Sequence, residues 1–171
     1  MRTSKVVALL ALAVSFALTS KAALAGELPA TGTYFIINAL NDQALEPLGG
    51  TPGQNVFLRE FSKSGMQKWN IVRKIDPKTK QPTNRYTIKL AGDSTQLFLA
   101  PFPMPNHTSI LDSSAHTYIL QPLGDNLVVR CVERNGDSLC AVTVPELATE
   151  VQIQPKDDST KFQWKFVKTE F

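Results

Sequence analysis

Few residues in this sequence have the side chains that most often perform acid–base or metal chemistry. His107 and His116 are the only 2 histidines, and both fall in or beside a predicted loop. No Gly-x-Ser-x-Gly or His-Glu-x-x-His motif occurs, and no Cys/His group has metal-ligand spacing. Two carboxylates that folding brings together stay a possible catalytic site. The sequence therefore predicts a binding protein that has no catalytic residue and uses no cofactor or metal.

The two cysteines indicate one cross-linked hairpin. In the stretch RCVERNGDSLC, Asn135 and Gly136 form a strong type I′ turn signal. With that turn, the numbers of facing residues sum to 271, so Cys131 faces Cys140 in the closer, non-hydrogen-bonded class of pair. Their Cα atoms would lie ~4.5–5.5 Å apart, within disulfide reach. We predict a Cys131–Cys140 bridge, and the alternative is two free thiols.

The N-terminus has the pattern of a cleaved secretory signal. The basic stretch MRTSK precedes an apolar run over residues 6–18, and small residues at Ala23 and Ala25 suit signal peptidase. The run falls short of the ~20 apolar residues that a bilayer core requires. We therefore expect cleavage after Ala25 and secretion, which supplies an oxidising compartment for the disulfide.

Removing residues 1–25 also removes the excess positive charge. The whole chain has a net charge of +3, and Arg2, Lys5 and Lys21 lie in the signal with no acidic residue beside them. The remaining chain is neutral, which gives no reason to expect nucleic acid or an anionic membrane as a partner. We expect residues 26–171 to form a single domain and a monomer.

Internal repeats organise this domain. QKWNIV and FQWKFV each have a glutamine followed by a tryptophan, Trp69 or Trp164, and HTYILQPL places Tyr118 at the matching position. Earlier β-branched and aromatic runs recur in the same order, so four strands appear three times, over residues of roughly 33–72, 85–122 and 126–168. The pattern predicts an all-β fold. The three aromatic residues lie inside alternating runs, which favours burial over a role in stacking on sugars.

Three four-stranded units that close on a Gln/Trp strand resemble the β-trefoil, which implies a pseudo-threefold barrel capped by hairpins. The QxW-type endings of repeats one and three are similar to those of ricin-B-type lectins. The elements GTY, YTIKL, YILQ and WKF resemble fungal mycocypin-type trefoil protease inhibitors. We therefore expect a secreted protein that presents loops to a partner, foremost as a protease inhibitor, with a carbohydrate-binding lectin as the alternative.

The inhibitor hypothesis requires stiff, extended loops, because a loop fixed beforehand loses less entropy on binding. APFPMPNHTS presents Phe102 and Met104 between prolines, and DPKTKQPTN presents Lys78 and Lys80 as basic bait for a trypsin-like serine protease. The alternative for the second stretch is a connector between repeats that its charges keep soluble.

The mycocypin resemblance adds two loops of repeat one, which would contact papain-like cysteine proteases. These contacts are Leu40, Asn41, Asp42, Gln43, Ser62, Lys63, Ser64 and Gly65. The segment that can bind legumain in the family corresponds to residues 91–94, AGDS, which has no asparagine.

The lectin alternative requires an acidic residue after a leucine of the second strand. Repeat one has Glu46 there, whereas we matched Phe98 and Cys140 to this position in the other repeats. Ricin-type sites use aspartate, so the resemblance implies at most one sugar site. Its members would be Glu46, an amide from Asn41 or Gln54, and the ring of Phe61. The alternative is that Glu46 is an ordinary outward-facing strand residue.

One further feature fits secretion. Asn106, His107 and Thr108 form the only N-x-S/T sequon, so Asn106 is the candidate for N-glycosylation. A glycan there would lie on the Pro-rich loop and crowd a partner that binds to it.

Overall fold

The computed structural model describes residues 27–92, 96–100, 110–131, 140–143, 149, 151–155 and 159–170. Several predictions concern residues outside these ranges: the signal peptide, the contacts of Phe102 and Met104, the glycan at Asn106, and the turn at Asn135 and Gly136.

The described residues form twelve strands, in the three sets of four that the alternating runs predict. They are β1 Gly32–Asn38, β2 Ala44–Pro47, β3 Val56–Arg59, β4 Lys68–Ile75, β5 Pro82–Leu90, β6 Phe98–Ala100, β7 Ile110–Asp112, β8 Tyr118–Leu123, β9 Asn126–Cys131, β10 Cys140–Thr143, β11 Gln152–Pro155 and β12 Gln163–Lys168. Short 3₁₀ turns precede β4 and β12, at Gly65–Gln67 and Thr160–Phe162. Among the residues described, no helix is long and apolar enough to span a bilayer. The all-β prediction is confirmed.

Six strands pair into a closed antiparallel ring. Its order is β1, β4, β5, β8, β9 and β12, and β12 returns to pair with β1. The other six strands form one hairpin in each repeat: β2 with β3, β6 with β7, and β10 with β11. Closing the ring removes the exposed strand edges that a single repeat would leave. This is the predicted arrangement of a barrel with a cap of three hairpins.

The same hydrogen bond recurs in all three repeats. The fourth strand of each repeat has a fully buried aromatic residue at its first or second position, and that residue donates to a main-chain carbonyl of the second strand. The three bonds, each 3.0 Å long, join Trp69 to Leu45, Tyr118 to Leu99, and Trp164 to Val142. A buried indole N–H or phenol O–H needs such a partner. The predicted burial of these aromatic residues is confirmed.

The centre of the barrel is closed. The space there, too small to hold a water molecule, is lined by Ile36, Leu45, Ile88, Leu99, Val129, Val142 and Trp164. A ligand therefore has to bind on the outer surface or at the loops.

The hairpin that carries the cysteines has the predicted register as far as it is described. Ala141 of β10 pairs with Arg130 of β9, and their numbers sum to 271 as expected. Cys131 ends β9 and Cys140 begins β10, which places them at the next facing position toward the turn. Their side chains lie outside the described part of the chain, so the disulfide stays a prediction.

Candidate functional site

Two loops predicted as protease contacts share one turn geometry, over residues 38–43 and 76–81. In each turn the first N–H donates to the carbonyl of the sixth residue, at 2.9 Å, and the N–H of the fifth donates to the carbonyl of the first. The side chain of the first residue, Asn38 or Asp76, accepts from the third N–H, at 3.0 and 2.7 Å. The fifth residue, Asp42 or Lys80, has φ near +60° (56° and 59°). Both turns are compact, unlike the extended loops that the inhibitor hypothesis requires.

Asp76 makes the second turn sensitive to acid. Hydrogen bonds from the main-chain N–H groups of Thr79 and Lys78 hold the pKa of its carboxyl below the ordinary value. A lowered pKa contributes stability above the unfolded value of ~3.9, and that stability is lost as the pH falls through the folded value.

We therefore expect Asp76→Ala to be less stable than the wild type at pH 7, and the difference to shrink as the pH falls below ~3.9. Urea unfolding at a series of pH values measures it. Asp76→Asn keeps an acceptor, as Asn38 does in the first turn, so its stability should lie between the other two. A difference that stays constant down to pH 2 would contradict this role of the charge.

Glu46 lies on the outer face of the repeat-one hairpin, and its surroundings include an aromatic ring and a cation. It is paired with Phe57 across β2 and β3, while Leu45 and Leu58 point into the core. The Ser64 hydroxyl donates to Glu46 Oε2 at 3.5 Å. The Arg59 guanidinium carbon lies 5.4 Å from the centre of the Phe57 ring. We call Glu46, Phe57, Arg59 and Ser64 the Glu46 face.

Gln67, the first residue of the QxW motif in repeat one, fixes the segment that precedes Ser64. Gln67 is fully buried, and its Nε2 donates to the carbonyl of Glu60 at 2.7 Å. Its Oε1 accepts from the N–H of Ser62 at 3.0 Å and from the Ser62 hydroxyl at 3.3 Å. Lys63 follows with φ of 59°, a conformation that a non-glycine residue keeps only when its surroundings impose it. The buried amide thus positions the predicted contact residues of this loop.

No protein-family model matches the chain, and no curated protein matches its sequence. Solved structures do match. The Rhizoctonia solani agglutinin is 17% identical, with a TM-score of 0.68 over 84% of this chain and 98% of the agglutinin. ThreeFoil, a designed 3-fold symmetric protein, is 18% identical, with a TM-score of 0.65 over 81% of this chain and 99% of its own. This chain is a β-trefoil. A third match is the Macrolepiota procera ricin B-like lectin, solved in complex with lactose, at 12% identity and a TM-score of 0.64 over 84% and 99% of the two chains.

The β-trefoil symmetry corrects the matching of repeats around Glu46. The carbonyls that accept from the buried aromatic residues show that Leu99 and Val142 correspond to Leu45. Ala100 and Thr143 therefore correspond to Glu46, and matching Phe98 and Cys140 to it was wrong. The error arose because each of those residues also follows a leucine near the start of its strand. Repeat one remains the repeat with an acid at this position.

The other residues predicted for a sugar site lie elsewhere on the β-trefoil. Phe61 packs edge-on against Phe35, with ring centres 5.0 Å apart. Asn41 caps its own turn, since its side chain accepts from the N–H of Gln43 at 3.2 Å. Gln54 lies in the loop between β2 and β3, beside Gly49. Sequence reasoning missed Phe57, which is paired with Glu46, and Arg59, whose guanidinium lies beside the Phe57 ring. The alternation of apolar and other residues along β3 contained that signal.

The histidine that is described, His116, pairs with one carboxylate. Its Nε2 lies 3.0 Å from Asp112 Oδ2, and this contact holds the pKa of Asp112 below its ordinary value. Within the described ranges no group of three or more His, Cys, Asp or Glu side chains could hold a metal ion. His107 lies outside those ranges.

Proposed function

We propose that this β-trefoil is a secreted, non-enzymatic carbohydrate-binding protein and that the Glu46 face contacts the saccharide. The observation that carries the proposal is that a half-buried carboxylate is paired with an aromatic ring on the outer face of a hairpin and that a guanidinium lies beside the same ring. The likeness of the fold to an agglutinin and to a lectin supports it. In this proposal the partner is a glycan, and the protein acts as a monomer.

The chemistry of the face suits hydroxyl groups. Glu46 Oε2 accepts from Ser64, whereas Oε1 has no hydrogen-bond partner among the described residues. A carboxylate accepts strong, charge-assisted hydrogen bonds, and a guanidinium donates several in a fixed geometry. Glu46 and Arg59 can therefore bind sugar hydroxyls from two sides, while the half-buried ring of Phe57 offers an apolar surface to the C–H groups of a sugar.

We expect Glu46→Ala to weaken glycan binding by about 10- to 100-fold, because a hydrogen bond to a charged group contributes about 1.5–3 kcal/mol. A glycan array with the secreted chain identifies the ligand, and calorimetric titration of the best ligand measures the change in affinity. Glu60→Gln is the matched control, since Glu60 is an exposed acid of the same repeat outside the Glu46 face. Failure of the wild type to bind any glycan, or unchanged affinity in Glu46→Ala, would contradict the proposal.

A second candidate function is inhibition of a trypsin-like protease through Lys78. The observation in its favour is that exposed Lys78 occupies a turn fixed beforehand by hydrogen bonds to Asp76, which lowers the entropy cost of binding. It ranks second because the turn is compact and because the matching structures described above include an agglutinin and a lectin.

If the second candidate is right, the wild-type chain inhibits trypsin and Lys78→Ala abolishes inhibition, because the specificity pocket loses its cation. The unfolding midpoint should stay unchanged, since the Lys78 side chain is exposed and has no hydrogen bond or ion pair with a described residue. Papain, assayed in parallel, tests the loop at Leu40–Gln43. A wild-type chain that inhibits neither enzyme would exclude both loops as inhibitory sites for them.

A further inference from the structure

A concave surface, separate from the Glu46 face, lies where the first strand of the barrel meets the last. It has a volume of about 410 Å³, within the range of small-ligand sites. Its lining combines apolar and charged side chains. These are Phe35, Phe61, Lys63, Lys68, Val167, Lys168, Thr169 and Glu170, and we call this surface the lysine hollow.

Two rings and a valine make its apolar part. Phe35 points outward from β1, between Val167 of β12 and Lys68 of β4, with which it is paired on either side. The Phe61 ring covers it edge-on at an interplanar angle of 69°. Val167 remains 42% exposed, so this part of the hollow is open to a ligand.

The charged part of the hollow is strongly biased toward positive charge. Among the described residues that line it, Lys63, Lys68 and Lys168 face one carboxylate, that of Glu170, although residues 26–171 are neutral overall. None of these three ammonium groups has an ion-pair or hydrogen-bond partner among the described residues. Lys165, which is outside the hollow, is instead paired with Asp42 at 2.7 Å.

Gathering like charges without partners costs free energy in the unbound protein, and an anion bound among them recovers it. The backbone also keeps Lys63 in this cluster, because the bonds of Gln67 to Ser62 fix the preceding residue and Lys63 itself has φ of 59°. Held strain of this kind is common at binding sites.

We propose that the lysine hollow binds the carboxylate or sulfate group of an acidic saccharide, whose ring packs against Phe61. This inference rests on the proposed carbohydrate binding and names the class of glycan that the protein prefers. The segment of residues 61–64 connects the two surfaces, since Ser64 contacts Glu46 while Phe61 and Lys63 line the hollow. One oligosaccharide can therefore place a neutral residue at the Glu46 face and an acidic residue in the hollow.

The test uses a glycan array of matched acidic and neutral saccharides. The pairs are oligogalacturonate and its methyl ester, sialylated and desialylated lactosamine, and sulfated and desulfated lactosamine. The wild type should favour the acidic member of a pair, and the preference should fall as ionic strength rises. The pairs show whether the bound group is a carboxylate or a sulfate.

Variants that remove a positive or a negative charge from the hollow show whether the anion binds there. Lys63→Gln combined with Lys168→Gln should reduce the preference about three- to tenfold, whereas Glu170→Gln should increase it. Lys89→Gln, on β5 and outside both surfaces, removes one positive charge, as Lys168→Gln alone does, and should alter nothing.

Three outcomes would overturn the inference. If acidic and neutral members bind equally and the affinity still depends on Glu46, the hollow does not bind an anion, whereas the proposed carbohydrate site at the Glu46 face still stands. A preference that survives the double lysine variant would place the anion elsewhere. Binding of no saccharide at all would overturn this inference and the proposed function together.

Discussion

Replacing Trp69 or Trp164 by alanine is expected to lower the free energy of unfolding by about 3–5 kcal/mol. Both indoles are fully buried, so each substitution leaves a cavity in the barrel and a second-strand carbonyl without its donor. The loss is a large fraction of the ~5–15 kcal/mol that stabilises a typical domain. Guanidinium unfolding followed by fluorescence measures it, since the chain has 2 tryptophans and each variant retains one as the probe.

Conservative variants separate packing from hydrogen bonding. Trp69→Phe and Trp164→Phe keep a ring but remove the N–H, so their losses should be smaller than those of the alanine variants. Tyr118→Phe removes the third equivalent bond and should cost about 1–2 kcal/mol. If the alanine variants unfold at the wild-type midpoint, the indoles are not core residues, and the alternative that they stack on sugars becomes the better interpretation.

The architecture was largely predictable because a short stretch of sequence is enough to indicate which residues of a strand are buried. Alternation of apolar and polar residues reports which side faces the core, so all twelve strands and the burial of Trp69, Tyr118 and Trp164 followed from short runs of sequence. The register of the β9–β10 hairpin followed equally from a single two-residue turn signal, as the pairing of Arg130 with Ala141 shows.

The surroundings of Glu46 were less predictable because they depend on register between strands. Phe61 is the aromatic residue that the family pattern suggested, yet the pairing of β2 with β3 places Phe57 opposite Glu46. The equivalence of the two compact turns was missed for another reason. Residues 38–43 and 76–81 share only an Asx at the first position and glutamine at the sixth, and the shared geometry comes from main-chain bonds.

The lysine hollow could not be derived from sequence spacing at all. Lys63 and Lys168 belong to the first and third repeats, and they come together because β1 pairs with both β4 and β12. That closure is a property of the whole ring. Any short stretch of the sequence contains only dispersed lysines in a neutral chain, so the pattern of charges along the sequence did not indicate an anionic partner.

The second large effect is expected from Gln67→Leu, which removes a buried amide while roughly keeping its volume. The carbonyl of Glu60 and the N–H of Ser62 lose their partners, and leaving two such groups unsatisfied costs roughly 2–4 kcal/mol. The same bonds fix the segment that carries Lys63 and Ser64. We therefore expect weaker glycan binding at the Glu46 face and a smaller preference for acidic glycans, measured on the folded variant at low temperature.

The control is Gln163→Leu, which changes the glutamine directly before Trp164 in repeat three; the residue at the position of Gln67 in that repeat is Phe162. Gln163 is only partly buried, and its side chain accepts one bond, from Asn126 at 3.0 Å, so the loss should be about 1 kcal/mol and glycan binding should not change. Hydrogen exchange at the Ser62 amide distinguishes the two substitutions, because only Gln67→Leu removes its acceptor. Two results would contradict this role of Gln67: protection of the Ser62 amide that persists in Gln67→Leu, or an equal loss of stability in both variants. In either case Gln67 does not fix the segment of residues 61–64, and Trp69 or the β2–β3 hairpin must position the binding residues instead.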